Sequence, residues 1–192
     1  MPEQRIHAVV WDLETRKLAK DLPGGWTDLR AGKGGISALV IYDNISGRSH
    51  LYDEHTLELA AQHLESADVV LGFNSQEFDA PVVEGILGRR LELQTHLDLL
   101  QLVWAASSGK RSGNKLDDLA RATLGFGKPH DGTLAPTLAD EGHWAELFDY
   151  CLLDVDLTKR LFIYAQENGN LINGNGNVVE INLPLWFSKV IL

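Results

Sequence analysis

The chain has 192 residues, 44% of them hydrophobic and 23% charged, with a formal net charge of −10. These values suit one globular domain with a substantial core, and the acidic balance excludes a general nucleic-acid coat or a membrane-surface protein. No apolar run is long enough for a transmembrane helix, and no basic-then-apolar leader opens the chain. The single cysteine, Cys151, excludes an internal disulfide framework and suits a reducing, cytoplasmic setting.

The first segment, Ile6 to Glu14, opens on apolar and β-branched residues and reads as a buried strand. Leu22 to Gly35 holds five glycines and one proline and reads as a long mobile loop, an insertion over residues 22–35. Its Gly32-Lys33 pair lacks the spacing of a phosphate-binding loop. Ile36 to Tyr42 and Ser49 to Tyr52 read as strands joined by Asp43-Asn44 and Ser46-Gly47 turn signals, so they should pair antiparallel. His55 to Ser66 has helical spacing with Asp53 placed to cap it. Val69-Val70-Leu71 reads as a strand, and Phe78 to Leu87 as a helix with Pro81 in its first turn and Gly88 as its stop.

Thr95 to Leu100 should begin as a strand and continue as a helix through Trp104. Lys115 to Leu124 is a short amphipathic helix, and Gly125 to Thr137 a turn-rich loop. His143 to Glu167 is the longest periodic segment, with Trp144, Phe148, Cys151, Val155 and Phe162 as its apolar stripe. Leu171-Ile172 and Val178 to Leu183 flank a Gly/Asn turn and predict a hairpin extension over residues 169–192. The order of elements predicts one domain over residues 1–192: an α/β fold with a mixed central sheet, an antiparallel edge and flanking helices. Sites in such sheets form at the carboxyl ends of neighbouring strands.

Three clusters carry the candidate chemistry. Asp12 and Glu14 end the first strand and share one face, while Leu13 points to the other. Two like charges there repel each other and resist desolvation, a penalty that a divalent cation removes. By itself Asp-x-Glu reads first as a strand that has run out into solvent, with two acids in the following loop. The second cluster, Gly72 to Asp79, places Asp79 at a helix start, where a carboxylate also complements the helix dipole. In the third, Tyr150 and Asp154 stand four apart on one helical face, while Asp149 and Asp156 point elsewhere and read as solvated.

Asp12-x-Glu14, Asn74-x-x-x-Phe78-Asp79 and Tyr150-x-x-x-Asp154, in this order, resemble the exonuclease motifs of the DEDD superfamily, which has a ribonuclease H-like fold. Asp149 occupies the place where the histidine branch carries His, so the resemblance is to the tyrosine, or DEDDy, branch. It implies a three-layer ribonuclease H-like fold and a metal-dependent 3′→5′ exonuclease. Such an enzyme releases 5′-mononucleotides from single-stranded DNA or RNA ends, with DNA the preferred reading. It also implies two divalent cations, Mg²⁺ or Mn²⁺, in keeping with an all-oxygen ligand set. By similarity Asp12 bridges both ions, Glu14 and Asp154 complete the water-activating site, and Asp79 binds the second ion through water. Tyr150 orients the attacking water, and Leu13, Asn74 and Phe78 contact substrate.

Other residues weigh less. Asn74 could equally hold its own turn. Arg89-Arg90 and Lys110-Arg111 with Lys115 are basic clusters that read as surface charge or as a phosphate track. Trp26 could stack on a base, and His96, His130 and His143 read as structural. A polymerase or helicase partner is compatible with the resemblance, and no membrane partner is expected. The alternatives are an RNA-trimming exoribonuclease, a catalytically silent nucleic-acid-binding or scaffold module, and an endonuclease of the ribonuclease H type.

Overall fold

The computed structural model describes residues 5–107, 109, 112–128 and 134–192. Five strands form a mixed sheet: β1 (Ala8–Thr15), β2 (Ile36–Asp43), β3 (Arg48–Tyr52), β4 (Val69–Gly72) and β5 (His96–Asp98), in the order β3-β2-β1-β4-β5. β2 is antiparallel to both β1 and β3, whereas β4 runs parallel to β1 and to β5. The short link between β2 and β3 allows only the antiparallel hairpin, and the connection through α2 (Leu57–Ser66) returns the chain parallel beside β1. The mixed sheet with its antiparallel edge is thus as the sequence predicts.

Alternation along β1 divides the core between two faces. Ala8 and Val10 enter one apolar cluster with Ala38, Val40, Val69 and Leu71. That face is covered by α4 (Leu99–Ala106), α5 (Leu116–Leu124), α6 (Ala135–Asp140) and α7 (Trp144–Asn168). Val9, Trp11 and Leu13 enter the other cluster with Leu39, Ile41 and Val70, beneath α2 and α3 (Asp79–Leu87). Asp12 and Glu14 are in phase with Ala8 and Val10, so the pleat alone aims them toward α7.

Several boundaries and one whole segment differ from expectation. The glycine-rich stretch is a series of helical turns: a 3₁₀ turn at Ala19–Asp21, the short α1 (Trp26–Asp28), and a wide turn at Leu29–Lys33. Close backbone approach orders it, together with the buried Leu29 and the Asp28 carboxylate, which accepts the Gly24 N–H at 2.8 Å. A Cβ at Gly32, whose φ is 77°, would lie 2.6 Å from Ile86 Cγ1, and one at Gly85 would lie 2.7 Å from the Ala31 carbonyl oxygen. The glycines therefore allow this segment to press onto α3, where turn composition alone suggested a mobile loop. The predicted loop over Gly125 to Thr137 shortens, because Ala135–Asp140 is helical with Pro136 in its first turn.

Trp144 is 43% exposed and leaves the predicted buried stripe of α7, while Cys151, Val155 and Phe162 stay in the core. Arg16 lies over the Trp144 ring at 5.6 Å. β6 (Asn170–Ile172) and β7 (Val178–Glu180) form the predicted hairpin as a separate two-stranded sheet. It is tied to α5 by reciprocal bonds: the Thr123 hydroxyl donates to the Ile172 carbonyl, and the Ile172 N–H donates back, both at 2.9 Å.

Candidate active site

β1 delivers Asp12 and Glu14, the start of α3 delivers Asp79, and the middle of α7 delivers Tyr150 and Asp154. All five line one cleft of about 720 Å³ with Leu13, Asn74 and Phe78. Carboxylate oxygens of Asp12, Glu14 and Asp154 lie within 4.8 Å of one another. Three acids from positions 12, 14 and 154 are thus held together by a strand pleat and one helix face. Asp79 is 2% exposed, and its Oδ1 accepts the Leu13 N–H at 3.1 Å. It lies beside the trio and is tied to β1, the strand that carries Asp12 and Glu14.

The electrostatics of this cluster are unfavourable without a counter-charge. Burial, then the neighbouring Asp154, Asp79 and Glu14, hold the Asp12 carboxyl well above the usual carboxylate range. Burial and Asp154 do the same for Glu14. Burial pushes Asp79 up to about 8 despite the Leu13 N–H, and burial also raises Asp154 against the lowering effect of Lys128. Asp154 Oδ1 is buried and has no hydrogen-bond partner among the described residues. Clustered carboxylates with an unpartnered buried oxygen are what a divalent cation with oxygen ligands satisfies.

Lys128 is the residue that sequence reasoning missed. Its ammonium bonds Asp154 Oδ2 and lies 5.2 Å from the centre of the Tyr150 ring. Despite the penalty of burial, Asp154 holds its pKa above the usual lysine value. A lone lysine in a turn-rich loop gives no periodic or motif signal, so only the fold reveals it. Tyr150 is itself 6% exposed, and burial foremost raises its phenol above the ordinary tyrosine value. It keeps its proton and serves as a donor at neutral pH.

Asp98 is a second unforeseen residue, a carboxylate whose work is structural. It caps α4 through the Leu100 N–H at 2.9 Å, and it also accepts the N–H groups of Asn74 at 2.8 Å and Gln76 at 3.0 Å. That pinning holds Asn74 in the left-handed region, at φ 62°, with its carbonyl accepting the Phe78 N–H at 3.0 Å. Asn74 therefore both shapes its own turn and lines the cleft. Leu13 is 3% exposed in the opposite core, and its backbone is what meets Asp79. Phe78 stands at the cleft wall with Trp26 edge-on at 6.0 Å.

The remaining candidates lie away from the cluster or outside it. Arg89 is engaged by Glu58 and Glu65, so it offers no open phosphate track. Lys115 lines the cleft, whereas Lys110, Arg111 and His130 lie outside the described residues. His96 is structural: its Nε2 meets the Ser75 hydroxyl at 2.8 Å. His143 is on the surface beside Glu146. Asp149 is exposed, and Asp156 is drawn into pairs with Lys159 and Arg160 rather than left solvated.

A sheet of this order, with four carboxylates gathered at the carboxyl end of its central strand, is a ribonuclease H-like fold carrying a candidate metal site. The chain belongs to the RNase H superfamily: residues 34–166 match its RNase_H_2 family. No curated protein matches it. Enzymes of this fold generally use Mg²⁺ or Mn²⁺, and nucleic-acid binding is consistent with it.

This match corrects the sequence reading. It indicates the RNase_H_2 family rather than the DEDDy branch, and that family typically excises ribonucleotides endonucleolytically. The expected 3′→5′ exonuclease activity and its mononucleotide products are withdrawn accordingly. The physical reason is that acids in this order serve internal and terminal phosphodiester hydrolysis alike. A tyrosine one helical turn from the last of them does not separate the two.

Proposed function

We propose that this protein is a metal-dependent endonuclease that cleaves internal phosphodiester bonds in nucleic acid, with ribonucleotide-containing strands as its substrate. The observation that carries the reading is the convergence of Asp12, Glu14 and Asp154 within 4.8 Å, with one buried oxygen of Asp154 lacking a partner. The family's usual reaction supports internal rather than terminal cleavage. The cleft is bordered by Arg30 and Lys115, which supports a strand that continues past the cluster.

Asp12, Glu14 and Asp154 would hold one divalent cation, Mg²⁺ or Mn²⁺, and Asp12 with Asp79 a second. Such ions supply counter-charge to the phosphate and lower the pKa of water at neutral pH. The chain's own residues supply position and exclusion. Tyr150, kept protonated, orients the attacking water by a hydrogen bond. Lys128 fixes the Asp154 carboxylate and adds a positive charge within reach of a phosphate oxygen. Phe78 and Trp26 offer an apolar wall on which a base can stack, beside the turn that Asn74 and Asp98 set.

The test uses a labelled oligonucleotide with ribonucleotides embedded in DNA, incubated with Mn²⁺, with EDTA, and with an Asp154→Asn variant. Cleavage at the ribonucleotides by the wild type alone, and only with metal, supports the reading. Cleavage that persists in EDTA or in the variant overturns it.

A further inference from the structure

The other end of the sheet holds a cluster that the carboxylate chemistry does not use. His7 precedes β1, and its backbone is fixed: its N–H donates to Asp68 Oδ2 at 2.9 Å, and its carbonyl accepts the Asp68 N–H at 2.9 Å. Asp43 ends β2 opposite Val9. Its Oδ1 is held by the N–H groups of Ile45 at 2.7 Å and Ser46 at 3.0 Å, which turns Oδ2 outward. His63 lies on α2. Nε2 of His63 stands 3.0 Å, and Nε2 of His7 3.3 Å, from that same Oδ2.

Three donor atoms from three separate elements therefore converge, all within 4.8 Å of one another. A tetrahedral ion with ligand bonds of about 2.0–2.1 Å has ligand–ligand edges of roughly 3.3 Å, and two of the three edges here already have about that length. The second nitrogen of His63 is also engaged: Nδ1 meets the Tyr52 hydroxyl at 2.9 Å, which restrains the ring with Nε2 turned to Asp43, as metal-binding imidazoles are usually held. The His50 ring packs edge-on against His63 at 4.9 Å and limits its rotation.

We propose that His7, Asp43 and His63 form a second metal site, separate from the carboxylate cleft, that takes a divalent transition ion of the zinc type. Two imidazoles and one carboxylate suit Zn²⁺ and its neighbours, whereas Mg²⁺ demands oxygen ligands. Asp12 and Glu14 lie three and five residues beyond Val9 on the same strand, so the two sites are on the order of 10 Å or more apart. The ion, its fourth position left to water by three protein ligands, acts as a cross-link. It joins the start of β1, the end of β2 and α2, which share no covalent tie there, and so stabilises the folded chain by mass action.

The test strips the protein with chelator, then titrates ZnCl₂ calorimetrically in excess MgCl₂, with metal content and melting temperature measured on the same samples. The wild type should bind one Zn²⁺ at this site and melt higher when it is bound. His7→Ala, whose side chain is the most exposed of the three, should weaken that binding by about 100-fold or more without lowering Mg²⁺-dependent activity. His63→Gln should do the same, and Asp12→Asn should leave this Zn²⁺ in place. No Zn²⁺ binding by the wild type overturns the proposal. So does binding that survives both histidine variants, or binding that is lost in Asp12→Asn.

Discussion

The Lys128 ammonium is buried against the Asp154 carboxylate and lies across the face of Tyr150. This one cation offsets repulsion among four acids in the absence of metal, and it also stands where a metal ion competes with it. Lys128→Met should cost the metal-free protein about 1–3 kcal/mol, the range for a lost bond to a charged buried group. Added Mn²⁺ should then raise the variant's melting temperature by more than it raises that of the wild type. Melting curves with and without Mn²⁺ check this, and an equal metal response in the two proteins would count against the competition.

Gly85 sits inside α3, where alanine is ordinarily better by about 0.5–1 kcal/mol. It is kept for the approach of Ala31 and Gly32, whose backbone atoms leave no room for a methyl group. Gly85→Ala should therefore destabilise the fold by about 1–3 kcal/mol through overpacking. The displaced segment carries Trp26 and Arg30, so KM should rise more than kcat falls. Denaturant melts with steady-state kinetics decide it. A variant more stable than the wild type would show that the segment is not seated on α3.

Sequence reading reached the cluster because two rules of side-chain direction act on it. The pleat put Asp12 and Glu14 on one face, and the helical repeat put Tyr150 with Asp154. The sheet was legible for the same reason, since Val9, Trp11 and Leu13 alternate with Ala8, Val10 and Asp12 between two cores. What escaped has no period. Lys128 and Asp98 act through the loops they meet in space, and His7, Asp43 and His63 come from three elements. The glycine-rich segment misled because glycine marks close backbone approach as well as a turn. The mode of cleavage was illegible, since the same carboxylates serve a terminal or an internal phosphate.

His96 supplies a pH signature. Burial pushes its imidazole down to about 4, whereas the unfolded chain takes up that proton near the ordinary value of about 6.5. Between those values the unfolded state binds more protons, so stability falls as pH drops through about 6.5 and levels off below about 4. The full loss from this group is about 3–4 kcal/mol, at 1.36 kcal/mol per pK unit. The raised carboxyls of the cleft act with the opposite sign over the same range, so the His96 contribution is read in chelator as the difference in melting temperature between wild type and His96→Gln. His63, which burial also pushes down, is present in both proteins and cancels in that difference. An unchanged slope in the variant would remove His96 from the account.

The central claim, metal-dependent cleavage at internal bonds, is tested most directly on a closed single-stranded circle of DNA carrying a short run of ribonucleotides. The circle has no end, so an enzyme that needs one leaves it intact. Wild-type protein with Mn²⁺ should convert it to a full-length linear strand opened at the ribonucleotides, and Asp12→Asn prepared in parallel should not. A circle that survives while the same sequence in linear form is degraded would contradict the account.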